Sequence, residues 1–261
     1  TSLGETLKCP LEDGWHLLDN YRLPDMKDFT RFQQAARLSR WLDGDRYRLG
    51  VDTNSIRERF QYLRGFENAM TDIVLQPAET ERLLDMLTAM TSDMVDNFHK
   101  AGANGFMLVD DWGSQNGPLI SPRHFEKLFL PRYKKITDRC HKLGMHCGLH
   151  SCGDIRALMP LMIEAGIDFL HLDSPDMCGI DWLSENAAGR ICIFASVDIQ
   201  NVYPTNDPEK IEGYVRELVE KIASPQGGLV AWPYAETWVI GVGTKAVWQE
   251  EKAWGRYSSS L

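Results

Sequence analysis

Apolar residues along this chain fall into two alternating patterns. The first is short, largely apolar runs: Tyr47–Val51, Gly105–Asp111, Met145–His150, Asp168–Asp173, Ile191–Ala195 and Gly228–Trp232. Several of these runs turn polar only at their carboxyl ends. The second is longer stretches with apolar residues at helical spacing. Residues 28–42 carry Phe29, Phe32, Ala36 and Leu38 on one face. A helical stretch follows Asp52 and Asn54 with Phe60, Leu63 and Phe66. Pro77 opens a long helix bearing Leu83, Leu84, Leu87, Met90, Met94 and Phe98, with Gly102 just beyond it. Ser121-Pro122 reads as an N-cap and first turn for a helix ending near Gly144, and helices are also predicted over 155–165, 208–222 and 244–254.

Strands that are apolar throughout and alternate with helices imply a parallel sheet covered on both faces. Polar residues confined to carboxyl ends of strands favour a TIM (β/α)8-type barrel with its site on that face. A doubly wound open sheet is the alternative, but no Gly-x-Gly-x-x-Gly or Walker loop supports a nucleotide-binding form of it. Residues 1–45 read as an N-terminal arm and helix packing on the barrel, and 46–261 as the barrel domain. On length alone, 261 residues fit one large α/β barrel or two modest domains.

Charge and composition narrow the partners. A formal charge of -9 gives no basic face for nucleic acid, and no apolar run reaches the roughly 18 residues that span a bilayer. Six cysteines scattered through a chain of this size suit free thiols in a reducing, cytoplasmic setting better than a disulfide scaffold.

The chemistry concentrates in Gly144–Ile155. His150 and Cys152 sit at i and i+2, so on a strand both side chains leave from one face. A nitrogen and a sulfur donor where a strand opens into a loop make half of a zinc site, although a packed histidine and a small buried thiol would read the same way. Asp110 and Asp111 end another strand and are catalytic candidates. Alternation sends one toward the strand-end site and the other toward the helices, so a capping role competes. Asp173 and Asp198 end later strands and are substrate-binding candidates. His171 shares the parity of Asp173, and His146 that of His150, as a second-layer partner or core. Trp112, Trp232 and Trp238 stand where aromatic walls for a substrate would be, although packing is the commoner use of tryptophan.

Three segments together resemble the uroporphyrinogen decarboxylase superfamily, and most closely its methyltransferase-like branch. They are Val109-Asp-Asp-Trp-Gly-Ser-Gln115 with Leu119-Ile-Ser-Pro122 and Pro131-Arg-Tyr133, then Leu149-His-Ser-Cys-Gly-Asp154, then Ala195-Ser-Val-Asp198 with Gly227-Gly-Leu-Val-Ala-Trp-Pro233. Weaker matches fall at Tyr62-Leu-Arg-Gly65 and Pro77-Ala-Glu79. The resemblance implies a TIM barrel, and a further N-terminal segment with the first strand ahead of these residues. It also implies one of two activities. Decarboxylases in the superfamily are metal-free and use an N-terminal arginine-rich motif, which is not found in this sequence, with an essential aspartate. Corrinoid methyltransferases hold zinc with His-x-Cys and a later cysteine. His150 and Cys152 match the first two of those ligands, but Tyr234 stands where the third is expected. Glu236, two residues on, is then the candidate oxygen ligand, and Tyr234 a candidate phenolic acid. An oxygen in place of a thiolate makes a harder, more Lewis-acidic site. The expectation is therefore a zinc enzyme moving a methyl group from a small, O-methyl type substrate to cobalamin on a separate corrinoid protein. Its rivals are a metal-free decarboxylase using Asp110 or Asp111, and an inactive binding subunit.

Overall fold

The computed structural model describes residues 8–258 except 43, 45 and 76, so the first seven residues of the expected N-terminal arm lie outside the described residues. In chain order the helices and strands begin with α1 (Gln33–Trp41), β1 (Leu49–Asp52), α2 (Ile56–Arg64), α3 (Phe66–Leu75), α4 (Ala78–Lys100) and β2 (Gly105–Val109). A hairpin of β3 (Gly113–Ser114) and β4 (Gly117–Pro118) follows, then α5 (Pro122–Leu128), α6 (Leu130–Lys142) and β5 (His146–His150). The remainder is α7 (Met159–Glu164), β6 (Phe169–Leu172), α8 (Ile180–Asn186), β7 (Cys192–Ala195), α9 (Pro208–Ile222), β8 (Leu229–Ala231) and α10 (Thr244–Ser258). The strand and helix alternation read from the sequence is present, with three differences of local origin.

The single helix expected from 121 to 144 is two. Pro131 has no N–H to donate back along the helix, and the chain breaks at Phe129, which caps α5 and precedes α6. Ser121 caps α5 as expected, accepting from the His124 N–H at 3.3 Å. The β3–β4 hairpin was not expected; its strands are two residues each and its turn is Gln115-Asn116, with Gly117 opposite Ser114. Nor was α8, a seven-residue helix entered through Gly179 at φ 81°.

The chain forms two compact units. The first takes residues up to Asp111, Ile120–Leu149 and Pro160–Ile167. In it β1 pairs parallel with β2, Leu49 opposite Gly105 and Asp52 opposite Leu108, and β5 lies beside β2. The long α4 buries Leu83, Leu84, Leu87, Met90, Met94 and Val95, with Glu79 and Glu81 in its first turn and His99 and Lys100 in its last, each complementing the helix dipole. The N-terminal arm is part of this core rather than a surface strap, because Leu11 and Leu18 are fully buried. Arg64 fastens it. The guanidinium donates to Asp72 at 2.8 Å and to the Leu11 carbonyl, and lies 4.1 Å over the Trp15 ring.

The second unit takes Trp112–Leu119, His150–Met159 and the chain from Asp168 onward. Its strands β6, β7 and β8 are parallel, with Phe169 opposite Cys192 and Ile193 opposite Leu229. The amphipathic α9 buries Ile211, Val215, Leu218 and Ile222 and packs on α8 and α10. No disulfide joins any of the six cysteines, and no described helix is long and apolar enough to cross a membrane.

Candidate functional site

In the first unit, burial divides the acids at the strand ends. Asp110 is wholly buried and its carboxylate is occupied. It accepts from the backbone N–H of Ile56 at 3.0 Å and of Glu58 at 2.9 Å, and from the Tyr133 hydroxyl at 2.5 Å. It is therefore the cap of α2, supplied from the neighbouring strand. Burial pushes its pKa up to about 6, against the pull of Arg57 and these donors. Ser55 completes the junction, donating its hydroxyl to the Asp52 carbonyl at 3.0 Å and accepting from the Val109 N–H at 2.9 Å. Asp111, the next residue, is half-buried.

Glu58, in the first turn of α2, has a side chain only 13% exposed. Burial, with the negative charges of Asp111 and Asp110, pushes its carboxyl up to about 7. Sequence reasoning missed this residue, because only the folding of α2 against the end of β2 places Glu58 beside both aspartates.

The second unit holds the nitrogen and sulfur donors. His150 is the last residue of β5 and Cys152 follows two residues later in a loop. The Cys152 Sγ and His150 Nε2 are 3.5 Å apart. Behind them lies a line of buried polar groups. His150 Nδ1 is 2.9 Å from His171 Nδ1, and His171 Nε2 is 3.2 Å from Asp173 Oδ1. The last of these is held electrostatically, since it lacks the alignment of a hydrogen bond. Burial works to raise the Asp173 carboxyl, but the contact with His171, the nearby His150 and the Ser196 hydroxyl outweigh it and hold the group below the usual range. Trp232 packs its ring 5.1 Å from that of His171 and stacks on Phe194 at 5.7 Å, so it braces the histidine.

The loop carrying Cys152 is fixed by backbone contacts. The Gly113 N–H donates to the Cys152 carbonyl at 3.0 Å, the Asp154 N–H to the Ser114 carbonyl at 2.9 Å, and the Trp112 N–H to the Ser151 hydroxyl at 2.9 Å. Gly113 and Gly153 meet backbone to backbone: a Cβ on Gly153 would lie 2.2 Å from the Gly113 carbonyl carbon, and Gly153 has φ 81°. Both positions require glycine.

Among the described residues of this unit, the ligand atoms of His150, His171 and Asp173 lie within 4.8 Å of one another. Glu236 is exposed and is not one of that group; Asp173 is the carboxylate gathered there. Tyr234 is half-buried close to Cys152, Asp173 and Glu236. Burial, and then the negative charge of these groups, raises its hydroxyl's pKa and keeps it protonated. Asp198 is fully buried and orders its own loop, accepting from the N–H groups of Gln200 at 3.1 Å and Asn201 at 2.6 Å and from the Ser174 hydroxyl. Trp112 is also fully buried, which makes it a packing element rather than an exposed substrate wall.

The parallel β/α architecture, with its histidine, thiol and acids at carboxyl ends of strands, is that of a TIM-barrel type protein. A solved methyltransferase from Methanosarcina mazei superposes with a TM-score of 0.70 at 17% identity, covering 93% of this chain and 66% of that one. A B12-independent methionine synthase from Shewanella sp. W3-18-1 superposes with a TM-score of 0.60 at 10% identity, covering 88% of this chain and 67% of that one. The model of the uroporphyrinogen decarboxylase (URO-D) family matches residues 20–232, and the chain belongs to that family. Curated relatives lie on both sides of the functional divide. A methylcobamide:CoM methyltransferase MtbA from Methanosarcina acetivorans is 25% identical over 177 residues, covering 66% of this chain and 50% of the relative. A methylated-thiol–coenzyme M methyltransferase from Methanosarcina mazei is 25% identical over 165 residues, covering 60% and 41%. A uroporphyrinogen decarboxylase from Dichelobacter nodosus is 28% identical over 156 residues, covering 58% and 40%. The matched part of the chain spans about half or less of the length of these relatives.

Two outcomes follow from this geometry. Because folding raises the Glu58 carboxyl from 4.5 to about 7, the folded state binds the extra proton between those values. Stability therefore falls as pH rises through that window. Urea unfolding across it should show that fall. Asp110, raised to about 6, shares the lower part of the window, so Glu58→Gln should remove the slope above about pH 6 and be the more stable protein above the window. Gly153→Ala should destabilise the protein by about 2 kcal/mol through strain and backbone overlap. It should also displace Cys152, read as faster labelling of that thiol by a maleimide; an unchanged labelling rate would show that the glycine contact does not fix the loop.

Proposed function

We propose that this chain is the barrel of a zinc-dependent methyltransferase that moves a methyl group from a small O-methyl substrate to a corrinoid carried by a separate protein. One observation carries the reading. A tetrahedral zinc with Zn–S about 2.3 Å and Zn–N about 2.0 Å sets those two ligands roughly 3.5 Å apart. The separation of Cys152 Sγ and His150 Nε2 is 3.5 Å. The donors present thus fit one zinc ion without rearrangement of the pair. Relatives named methylcobamide:CoM methyltransferase, in which a methylated corrinoid is the methyl donor, support corrinoid-linked methyl transfer but not its direction or substrate here.

His150 and Cys152 would hold the ion, and oxygen donors would complete its shell. Bound there, zinc supplies a Lewis acid that polarises the ether oxygen of the substrate. The chain's own residues do the rest. Tyr234, kept protonated beside Cys152 and Asp173, would deliver its proton to the alkoxide released when the methyl–oxygen bond breaks. Trp232 supplies a rigid apolar surface beside His171. The corrinoid of the partner protein accepts the methyl group.

The decarboxylase alternative depends on a strand-end aspartate that meets the substrate. Asp110 is buried and committed to capping α2, which leaves that reading Asp111 alone. Freshly purified protein should contain about one zinc per chain, and a His150→Ala/Cys152→Ser double variant none. Cys152→Ser should abolish methylation of a corrinoid protein, whereas a decarboxylase would keep its activity in that variant. Absence of zinc in the unsubstituted protein, even after zinc is supplied, would contradict the proposal.

A further inference from the structure

Arg40, Arg48 and Lys100 line one cavity of about 470 Å³ in the first unit, with Phe29, Ser39 and Gly102 among its other walls. No carboxylate is among its lining residues, and the partners of the three cations are neutral. Arg40 Nε donates to the Ala36 carbonyl at 3.2 Å, Arg48 Nη1 to the Ser39 carbonyl at 3.0 Å, and Lys100 Nζ to Asn97 Oδ1 at 3.4 Å. Among the described residues none of the three takes part in an ion pair. Three like charges gathered around one space repel one another, and an anion placed between them relieves that repulsion. The chain as a whole carries a charge of -9, so this local excess of cations runs against its composition.

Helix ends explain two of the charges. Arg40 lies in the last turn of α1 and Lys100 in that of α4, where cations offset the helix dipole. Arg48 belongs to no helix. It immediately precedes β1, and its backbone N–H and its Nε both engage Asn104 Oδ1, at 2.9 and 3.4 Å. With the bond to Ser39, these contacts hold the planar guanidinium in place before any ligand arrives. The floor is equally fixed. The Ser39 hydroxyl donates to the Gly102 carbonyl at 3.4 Å, and a Cβ on Gly102, whose φ is 93°, would lie 2.4 Å from the Ser39 oxygen.

A second cavity of about 310 Å³ shares Arg48 and Leu42 with the first and is walled by Leu38, Tyr47 and Phe98. Leu38 and Tyr47 are each about half exposed. A cation-lined space sharing a wall with an apolar one suits a molecule with an anionic head and an apolar body. A phosphate monoester brings close to two charges and three acceptor oxygens to the three cations, where a carboxylate brings one charge and two oxygens. The guanidinium fork matches phosphate geometry.

We propose that these adjoining cavities bind a small phosphate monoester with an apolar body, its phosphate held by Arg40, Arg48 and Lys100. The site shares no residue with the metal-ligand set and does not depend on the zinc reading.

The test is titration calorimetry with phenyl phosphate, inorganic phosphate and phenol at low salt. One phenyl phosphate should bind per chain, inorganic phosphate about 10-fold more weakly, and phenol not measurably. Arg48→Gln should weaken phenyl phosphate about 10- to 100-fold. An Arg40→Gln/Lys100→Gln variant, in which both changed residues are exposed, should weaken it about 3- to 10-fold. The His150→Ala/Cys152→Ser variant should bind it as the unsubstituted protein does. Should Arg48→Gln fail to fold, the Arg40→Gln/Lys100→Gln variant carries the test. No heat with either phosphate, or an affinity unchanged in the cation variants, would overturn the proposal. Equal affinity for the two phosphates would overturn the assignment of the apolar body.

Discussion

Gly113 and Gly153 pass each other with no room for a single methyl group between their backbones. That contact, with the Gly113 N–H on the Cys152 carbonyl, fixes the loop from which the Cys152 thiol projects. A thiol on a free loop would sample many positions relative to His150, and two donors define a metal site only when their separation is held. Here the entropy of fixing the loop is met by backbone hydrogen bonds from the β3–β4 hairpin, with the Ser151 hydroxyl accepting from the Trp112 N–H. The side chains around Cys152 are thereby left for chemistry.

The second constraint is burial, which sorts groups of the same type into different roles. Asp110 and Asp198 are both fully buried acids at strand ends, and both spend their oxygens on backbone N–H groups, one capping α2 and the other ordering the turn after β7. Asp173 is less enclosed and has a histidine as its partner instead, so its charge is directed along a chain of imidazoles toward His150. Glu58 lies in the first turn of α2, but burial and the charges of Asp111 and Asp110 outweigh Arg57, and its proton is retained nearly to neutrality. Carboxylates at strand and helix ends therefore end in different states.

Much of this was legible from residue order. Runs such as Gly105–Val109 and Phe169–Leu172 are buried along almost their whole length and so read as interior parallel strands. The strand-end histidine and the cysteine two residues on stood out because their parity puts both on one face. Alternation also foretold that Asp110 and Asp111 would diverge, though not which would be buried. What remained hidden depends on closure in three dimensions. The proximity of Glu58 to Asp110 and Asp111 spans more than fifty residues, and the Gly113–Gly153 contact has no local signal beyond two glycines. The choice of Asp173 rather than Glu236 as the carboxylate near His150 is set by strand neighbours, since β6 carries Asp173 inward while Glu236 lies exposed beyond β8. The break at Pro131 is local chemistry.

The central claim is that one sulfur and one nitrogen, from Cys152 and His150, bind a single zinc whose other ligands are oxygen or nitrogen. Zinc K-edge absorption spectroscopy of the loaded protein reads that ligand set directly. The account predicts one sulfur scatterer at about 2.3 Å with the remaining ligands at about 2.0–2.2 Å, and imidazole outer-shell scattering. Two or more sulfurs, or a shell with none, would contradict it.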